Sequence, residues 1–324
     1  MDLAIIAQHA LAQYDINAVS VSPVAQSGAA VFKIKNHHGL LYSLRVHKSK
    51  ISTLETMWTR RDVLESEQVW LDALNRDTHL TLPVPKRNRL GSYVTQVDDI
   101  SCTMLRWVEG EQKQYFTNDQ DLKSTAVMTA TLHQHASMWQ PPSSFIRPTV
   151  HRERIQNALD LLKQQVREGL LDAHDVQILE AAGEKAMALL DTLPKNKLTW
   201  GVLHGDIVPP NIVFSDGAAH PIDFGACGFG PFLTDLAITC TFIHPTSRQQ
   251  YIDWYGEYFP LPNEYVAQIE ALFISLMLIG MRNALGMPES KQGLPTYAKK
   301  CASREFGRYV NGESFLFTGT PCWE

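Results

Sequence analysis

Between Val202 and Gly225 the chain reads VLHGDIVPPNIVFSDGAAHPIDFG. His204, Asp206, Asn211 and Asp223 stand there among valines, isoleucines and prolines. Carboxylates in apolar surroundings are costly unless something pairs with them. The stretch therefore reads as a site, and any fold this chain adopts has to hold it. Locally it predicts a loop, a short strand over 212–214, a turn over 215–218 and a short strand over 220–223.

The two flanks differ in pattern. AVFKIKNHHGLLYSLRVH, near the start, has two β-prone runs about a turn at 36–39, a hairpin. A helix follows over 56–75, with Val63, Val69, Leu71 and Leu74 facing a core. Pro83 and Pro85 separate it from strands in SYVTQ and CTMLRWV, and polar EGEQ at 109–112 reads as a joint. Helices are predicted over 118–139, 151–167, 172–192, 247–258, 263–287 and 295–310, with PPSSFIRP at 141–148 as a rigid connector. The expectation is an α+β chain of two lobes. A small β-rich lobe with one long helix takes 1–104, a hinge takes 105–110, and a helical lobe carrying the polar loop takes 111–324.

Composition excludes several functions. A length of 324 residues allows two cores, and 44% hydrophobic with 19% charged residues is a globular balance. A net charge of −5 gives no footprint for nucleic acid. Cys102, Cys227, Cys240, Cys301 and Cys322 are scattered, without a C-x-x-C pair, which points to a reducing cytoplasm over zinc or disulfides. MDLAIIAQHALAQYD has no basic start and is not read as a secretory signal. ALFISLMLIGM at 271–281 is too short to span a bilayer and reads as a core helix, so no membrane partner is expected.

Asn211 lies five positions after Asp206, and Asp223 precedes Phe224-Gly225. H-x-D-x4-N followed by D-F-G is the layout of phosphoryl-transfer sites. Such a reaction needs a carboxylate to accept the proton of the attacking hydroxyl, a role suited to Asp206. It also needs oxygen ligands for Mg2+, a hard cation, and Asn211 and Asp223 supply them. His204 is read as holding the loop. A transition-metal site on His204, Asp206 and Asp223 is the weaker reading.

Together with LRWVEG at 105–110, LHQHA at 132–136 and GFGPFLTDLA at 228–237, the HGD, Asn and DFG elements resemble the aminoglycoside phosphotransferase / choline kinase family. Gly205 stands where protein kinases carry Arg. The resemblance implies a two-lobed protein-kinase-like fold, ATP and Mg2+ as cofactors, and a small-molecule hydroxyl as acceptor. It also implies an N-lobe cation on the ATP phosphates, paired with a helix glutamate. Arg45 fits the first place, with Ser43 on the same strand face leaving room for adenine; Lys33, Lys35 and Lys48 read as solvated strand charges. Glu67 fits the second better than Glu65. AQSGAAVF has a single glycine, Gly28, so the amides of 27–29 either cover the phosphates or make a plain hairpin turn. Leu105 to Trp107 would offer backbone groups to adenine over an apolar floor of Val213 and Ile222, and these two equally suit a core. Val208 replaces a histidine that many relatives carry, and Asp235 would brace the loop at a helix start.

The acceptor is less defined. Residues 243–324 hold eight acidic and seven basic side chains, with no acidic cluster to meet a polycation. Arg282 with Asn283 suits a carboxylate, and Trp254, Tyr255, Tyr258, Phe259 and Tyr265 form either an apolar wall or core. An amino alcohol or hydroxy amino acid is favoured over an aminoglycoside. A protein Ser/Thr kinase is weakened by the missing Arg before Asp206 and the missing A-P-E segment. A non-catalytic nucleotide-binding protein would have no need of Asp206, Asn211 and Asp223 together.

Overall fold

The computed structural model describes residues 2–53, 55–149 and 152–324. The chain opens with a helix, α1 (Leu3–Leu11), where the sequence pattern predicts no element. Asp2 caps it, its carboxylate accepting from the Ala4 N–H at 3.0 Å. Ile6, Ala7 and Ala10 of α1 pack with Phe32, Ile34, Leu44, Val46 and Met104 in the core of the first lobe.

The predicted hairpin forms from β2 (Ala30–Asn36) and β3 (Leu41–Val46), with β1 (Ala18–Gln26) outside it. β4 (Pro85–Lys86), β5 (Val94–Val97) and β6 (Ile100–Arg106) complete an antiparallel sheet of order β1-β2-β3-β6-β4, with β5 also on β6. Alternation along β3 settles its two faces. Leu44 and Val46 enter the α1 core, whereas Ser43 and Arg45 face the opposite way, onto the interlobe cleft.

The predicted 56–75 helix is two elements. A 3-10 turn (Thr56–Thr59) ends at Arg60, whose extended backbone (φ −65°, ψ 140°) breaks it from α2 (Arg61–Asp77). Val69 is only half-buried, while Leu64 and Trp70 are buried with Val63, Leu71 and Leu74. The helix is covered on more than one side, so its buried set is wider than one stripe. Trp70 meets Phe224 edge-on at 5.5 Å and so joins α2 to the second lobe.

That lobe holds α3 (Asp119–Met138), α4 (Arg152–Arg167), α5 (Ala173–Leu190), α6 (Leu233–Cys240), α7 (Pro245–Gly256) and α8 (Tyr265–Leu285). The short helices α9 (Pro288–Lys291), α10 (Leu294–Cys301) and α11 (Gly307–Val310) follow. The predicted start of α4 at 151 lies outside the described residues. The expected 295–310 helix is interrupted by a π turn, Ala302–Phe306. By length and composition α8 could cross a membrane. Here Ile269, Leu272, Phe273, Ile274 and Leu278 bury it in the helical core.

β7 (Glu111–Gln112) pairs with β9 (Ile212–Ser215), and β9 with β10 (Ala218–Pro221); β8 (Trp200–Leu203) pairs with β11 (Gly228–Pro231). The polar loop thus lies between two small ladders. Gly110 lets the joint approach closely, since a Cβ there would sit 2.7 Å from the Phe214 carbonyl oxygen.

Candidate active site

Backbone geometry shapes the loop first. Gly205 has φ +80°, and a Cβ on it would press into the Ala226 carbonyl, so glycine is required in HGD. The second strand of the site stops at Pro221, not at Asp223 as expected. Asp223 is left-handed (φ 57°, ψ 67°), which turns its side chain out of the ladder. The Ile222 N–H donates to the Asn211 carbonyl at 2.9 Å and ties the two halves together.

Asp235, buried in the first turn of α6, braces the loop. It accepts from the His204 N–H (2.9 Å), the Gly205 N–H (2.8 Å) and His133 Nε2 (3.1 Å). Both nitrogens of His204 are committed. Nε2 lies 3.0 Å from the Ile222 carbonyl and Nδ1 accepts from the Asp206 N–H at 3.2 Å. Burial pushes this imidazole down, against Asp235 and Asp223. Neutral and fixed, His204 has no nitrogen left for a metal or a transferred proton. His133 of LHQHA contributes from further away, through Tyr255 on its Nδ1 (2.8 Å) and Asp235 on its Nε2.

The chemistry-bearing side chains line one cleft of about 970 Å³ between the lobes. Asp206, Asn211 and Asp223 lie there with Arg45, Ser43, Gly28, Leu105, Trp107, Val213 and Ile222. Asn211 Nδ2 donates to the Asp206 carboxylate at 2.7 Å and to its carbonyl at 3.1 Å, and among the described residues the amide oxygen of Asn211 has no partner. Burial, then the Asp223 charge, pushes the Asp206 carboxyl up to about 7, against the Asn211 hydrogen bond. The Asp223 side chain is half exposed, 3.5 Å from Arg45 Nη2, and among the described residues accepts only from the Gly225 N–H (3.4 Å).

Arg45 donates to Glu67, whose side chain is completely buried. Glu65 points elsewhere, accepting from Ser92 Oγ at 2.5 Å. Lys33 lies over the Trp107 ring at 4.5 Å, and Lys35 and Lys48 are exposed. Glu67 outside the cleft wall and Arg45 inside it make a pair that breaks badly from one side. Arg45→Ala is expected to lose about 3–5 kcal/mol of stability by stranding a buried carboxylate. An Arg45→Met/Glu67→Met double variant should recover most of that loss in urea denaturation.

Gly28 occupies the β1–β2 turn and also lines the cleft, with no atom within 4 Å of where a Cβ would stand. The hinge differs from expectation in one respect. The Arg106 and Trp107 N–H groups donate to Val84 (2.8 Å) and Leu41 (3.0 Å), so those two residues keep only carbonyls for a ligand. Among the described residues the Val108 N–H has no partner, and Val108 lines the cleft. Sequence reasoning missed it because strand register decides which amides are left over. None of Trp254, Tyr255, Tyr258, Phe259 and Tyr265 lines the cleft. Tyr255 and Phe259 pack around His133. Arg282 and Asn283, read as suited to a carboxylate, both line the cleft, where Arg282 donates to Glu55 (3.0 Å) and the Thr53 carbonyl (2.6 Å).

A paired cation, an acid raised by burial and by its neighbour, and two oxygen donors in one interlobe cleft agree with the sequence match. The profile of the phosphotransferase enzyme family (APH) matches residues 42–266. The chain belongs to this family. It is a phosphotransferase, and the match runs from β3 into α8. Solved structures share the fold at low identity. A microcompartment-associated aminopropanol kinase is 24% identical with a TM-score of 0.78, covering 98% of this chain and 100% of its own. An amicoumacin kinase in complex with AMP-PNP, Ca2+ and amicoumacin is 15% identical, TM-score 0.76, covering 97% and 95%. An aminoglycoside phosphotransferase from Alicyclobacillus acidocaldarius is 15% identical, TM-score 0.61, covering 94% of each. A search of curated proteins finds no match.

Proposed function

We propose that this phosphotransferase moves the γ-phosphate of ATP, with Mg2+, to a hydroxyl of a small metabolite of the amino alcohol or hydroxy amino acid class. The donor set fits a hard cation: the Asn211 amide oxygen and the half-exposed Asp223 carboxylate, both on the cleft wall. Bound there, Mg2+ would neutralise charge on the phosphates. Arg45 holds the phosphates as a two-pronged donor, and the amides of 27–29 cover them. Ser43, Val213 and Ile222 bound the adenine, with the Val108 N–H for its edge. Asp206 takes the hydroxyl proton.

The charge on the cleft wall carries the choice of acceptor. Its carboxylates among the described residues are Glu55, Asp206 and Asp223. Two serve the chemistry, and Glu55 is engaged by Arg282. A polycationic aminoglycoside finds no free acid there. A protein acceptor is disfavoured for another reason. After Gly225 a short turn and β11 lead straight into α6 at Leu233, leaving no long segment to seat a peptide. The similarity to an aminopropanol kinase supports the small-acceptor reading, and five free, buried cysteines suit a cytoplasmic setting.

A coupled ATP-consumption assay on homoserine, choline, ethanolamine and sugar alcohols beside kanamycin tests the choice. Turnover of a small amino alcohol or hydroxy amino acid is expected. Phosphorylation of aminoglycosides alone, with drug resistance in cells expressing the protein, would overturn it.

A further inference from the structure

The cleft end beyond the catalytic loop is walled by a strap that includes Thr53, Glu55 and Trp58, and by Arg154 of α4 and Arg282 of α8. The strap is fastened across the lobes. Ser52 donates to the Gly286 carbonyl through its N–H (3.3 Å) and hydroxyl (3.2 Å), and Arg282 donates to Glu55 and Thr53. Each terminal nitrogen of Arg282 is therefore engaged in holding the strap.

Arg154 is not. Its Nε lies 3.7 Å from Glu55, which already accepts from Arg282, and among the described residues Arg154 makes no hydrogen bond. The Nε is buried without a partner, and so is Trp58 Nε1. Arg154 lies over the Trp58 ring at 5.5 Å, and Arg147 at 5.4 Å. Burial lowers the Arg154 guanidinium from its ordinary value; Glu55 opposes this and Arg282 adds to it. Two cations thus face one carboxylate here, with two N–H donors that have no partner among the described residues. A buried donor without an acceptor is costly, and a planar guanidinium matches a carboxylate in two-point contact.

Resting on the kinase reading above, we infer that the acceptor carries a carboxylate, held by the Arg154 guanidinium with the Trp58 N–H beside it. The substrate class is then a hydroxy acid or hydroxy amino acid, and a plain amino alcohol lacks the group that this end of the cleft is built to hold. Arg154 and Trp58 are specificity-determining residues with no part in proton transfer.

Acceptor pairs that differ only in the acid group test this: serine with ethanolamine, homoserine with 3-aminopropan-1-ol, threonine with 1-aminopropan-2-ol. Wild type should prefer the acid in at least one pair. Arg154→Met should raise KM for that acid roughly 10- to 100-fold, the scale of a lost charge-assisted hydrogen bond. KM for ATP and for the decarboxylated partner should hold. Trp58→Phe keeps the ring, removes the N–H and should raise KM for the acid by a smaller factor. Preference for the amine in every pair, or a preference for the acid that survives Arg154→Met, would overturn the inference and leave the kinase reading standing. Turnover of kanamycin with no pair member phosphorylated would overturn both.

Discussion

Asp223→Asn should lower turnover by ~10³-fold or more, the scale set by losing an electrostatic clamp on a transferring phosphoryl group. Asparagine is the informative choice. Asp223 is left-handed, a conformation asparagine tolerates and alanine resists, so Asp223→Ala would mix backbone strain with lost charge. The side chain is half exposed and has one weak local hydrogen bond. Its loss should cost the fold little, and circular dichroism and melting temperature should stay near wild type. Calorimetry should show ATP binding that Mg2+ no longer strengthens. Asp206 should respond as well, because Asp223 is part of what raises its carboxyl; its titration should move down in the variant. Undiminished turnover, or a Mg2+ effect on ATP binding that persists, would remove Asp223 from the metal-holding role.

How far the sequence could be read depended on the range of the interactions involved. HGD, Asn211 and DFG were legible because the chemistry fixes residue types at short spacing, and Gly205 follows from one close backbone approach. The β2–β3 hairpin was legible from alternation, which also placed Ser43 beside Arg45 on one face. What failed was set by packing across the chain. Helix α1 is short, and its identity rests on the sheet face it covers. The break at Arg60 has no glycine or proline to announce it. Arg282 lines the cleft, but the strap, more than two hundred residues upstream, engages both of its terminal nitrogens. Arg154 was passed over for the converse reason. An arginine on the polar side of an amphipathic helix looks solvated, and only the fold shows that it lies over Trp58 with no hydrogen-bonding partner among the described residues. The Val108 amide belongs to the same class, since register alone leaves it over.

Asp206→Asn should lower kcat by ~10²–10⁴, the usual contribution of a positioned general base, with ATP affinity close to wild type. The pH dependence should be more telling than the size of the loss. The wild-type carboxyl is pushed up to about 7, by burial first and Asp223 second. Only its ionised form can take a proton, so activity should fall as pH drops through the midpoint. Mg2+ held at Asp223 as proposed would offset the second cause, and the midpoint should then lie below 7. The acid limb should disappear from the residual activity of Asp206→Asn. Stability should carry the opposite sign. The folded state holds its proton to a higher pH than the unfolded chain, whose carboxyl titrates near its ordinary 3.8. Between these two values the folded state binds more protons, and stability falls as pH rises through the window. Asp206→Asn removes that penalty while keeping an oxygen for the Asn211 amide to donate to. The apoprotein variant should therefore melt higher than wild type above pH 7, and the difference should vanish below about pH 4. A variant that melts lower at pH 8, or that keeps the acid limb, would show that Asp206 is neither the raised acid nor the base.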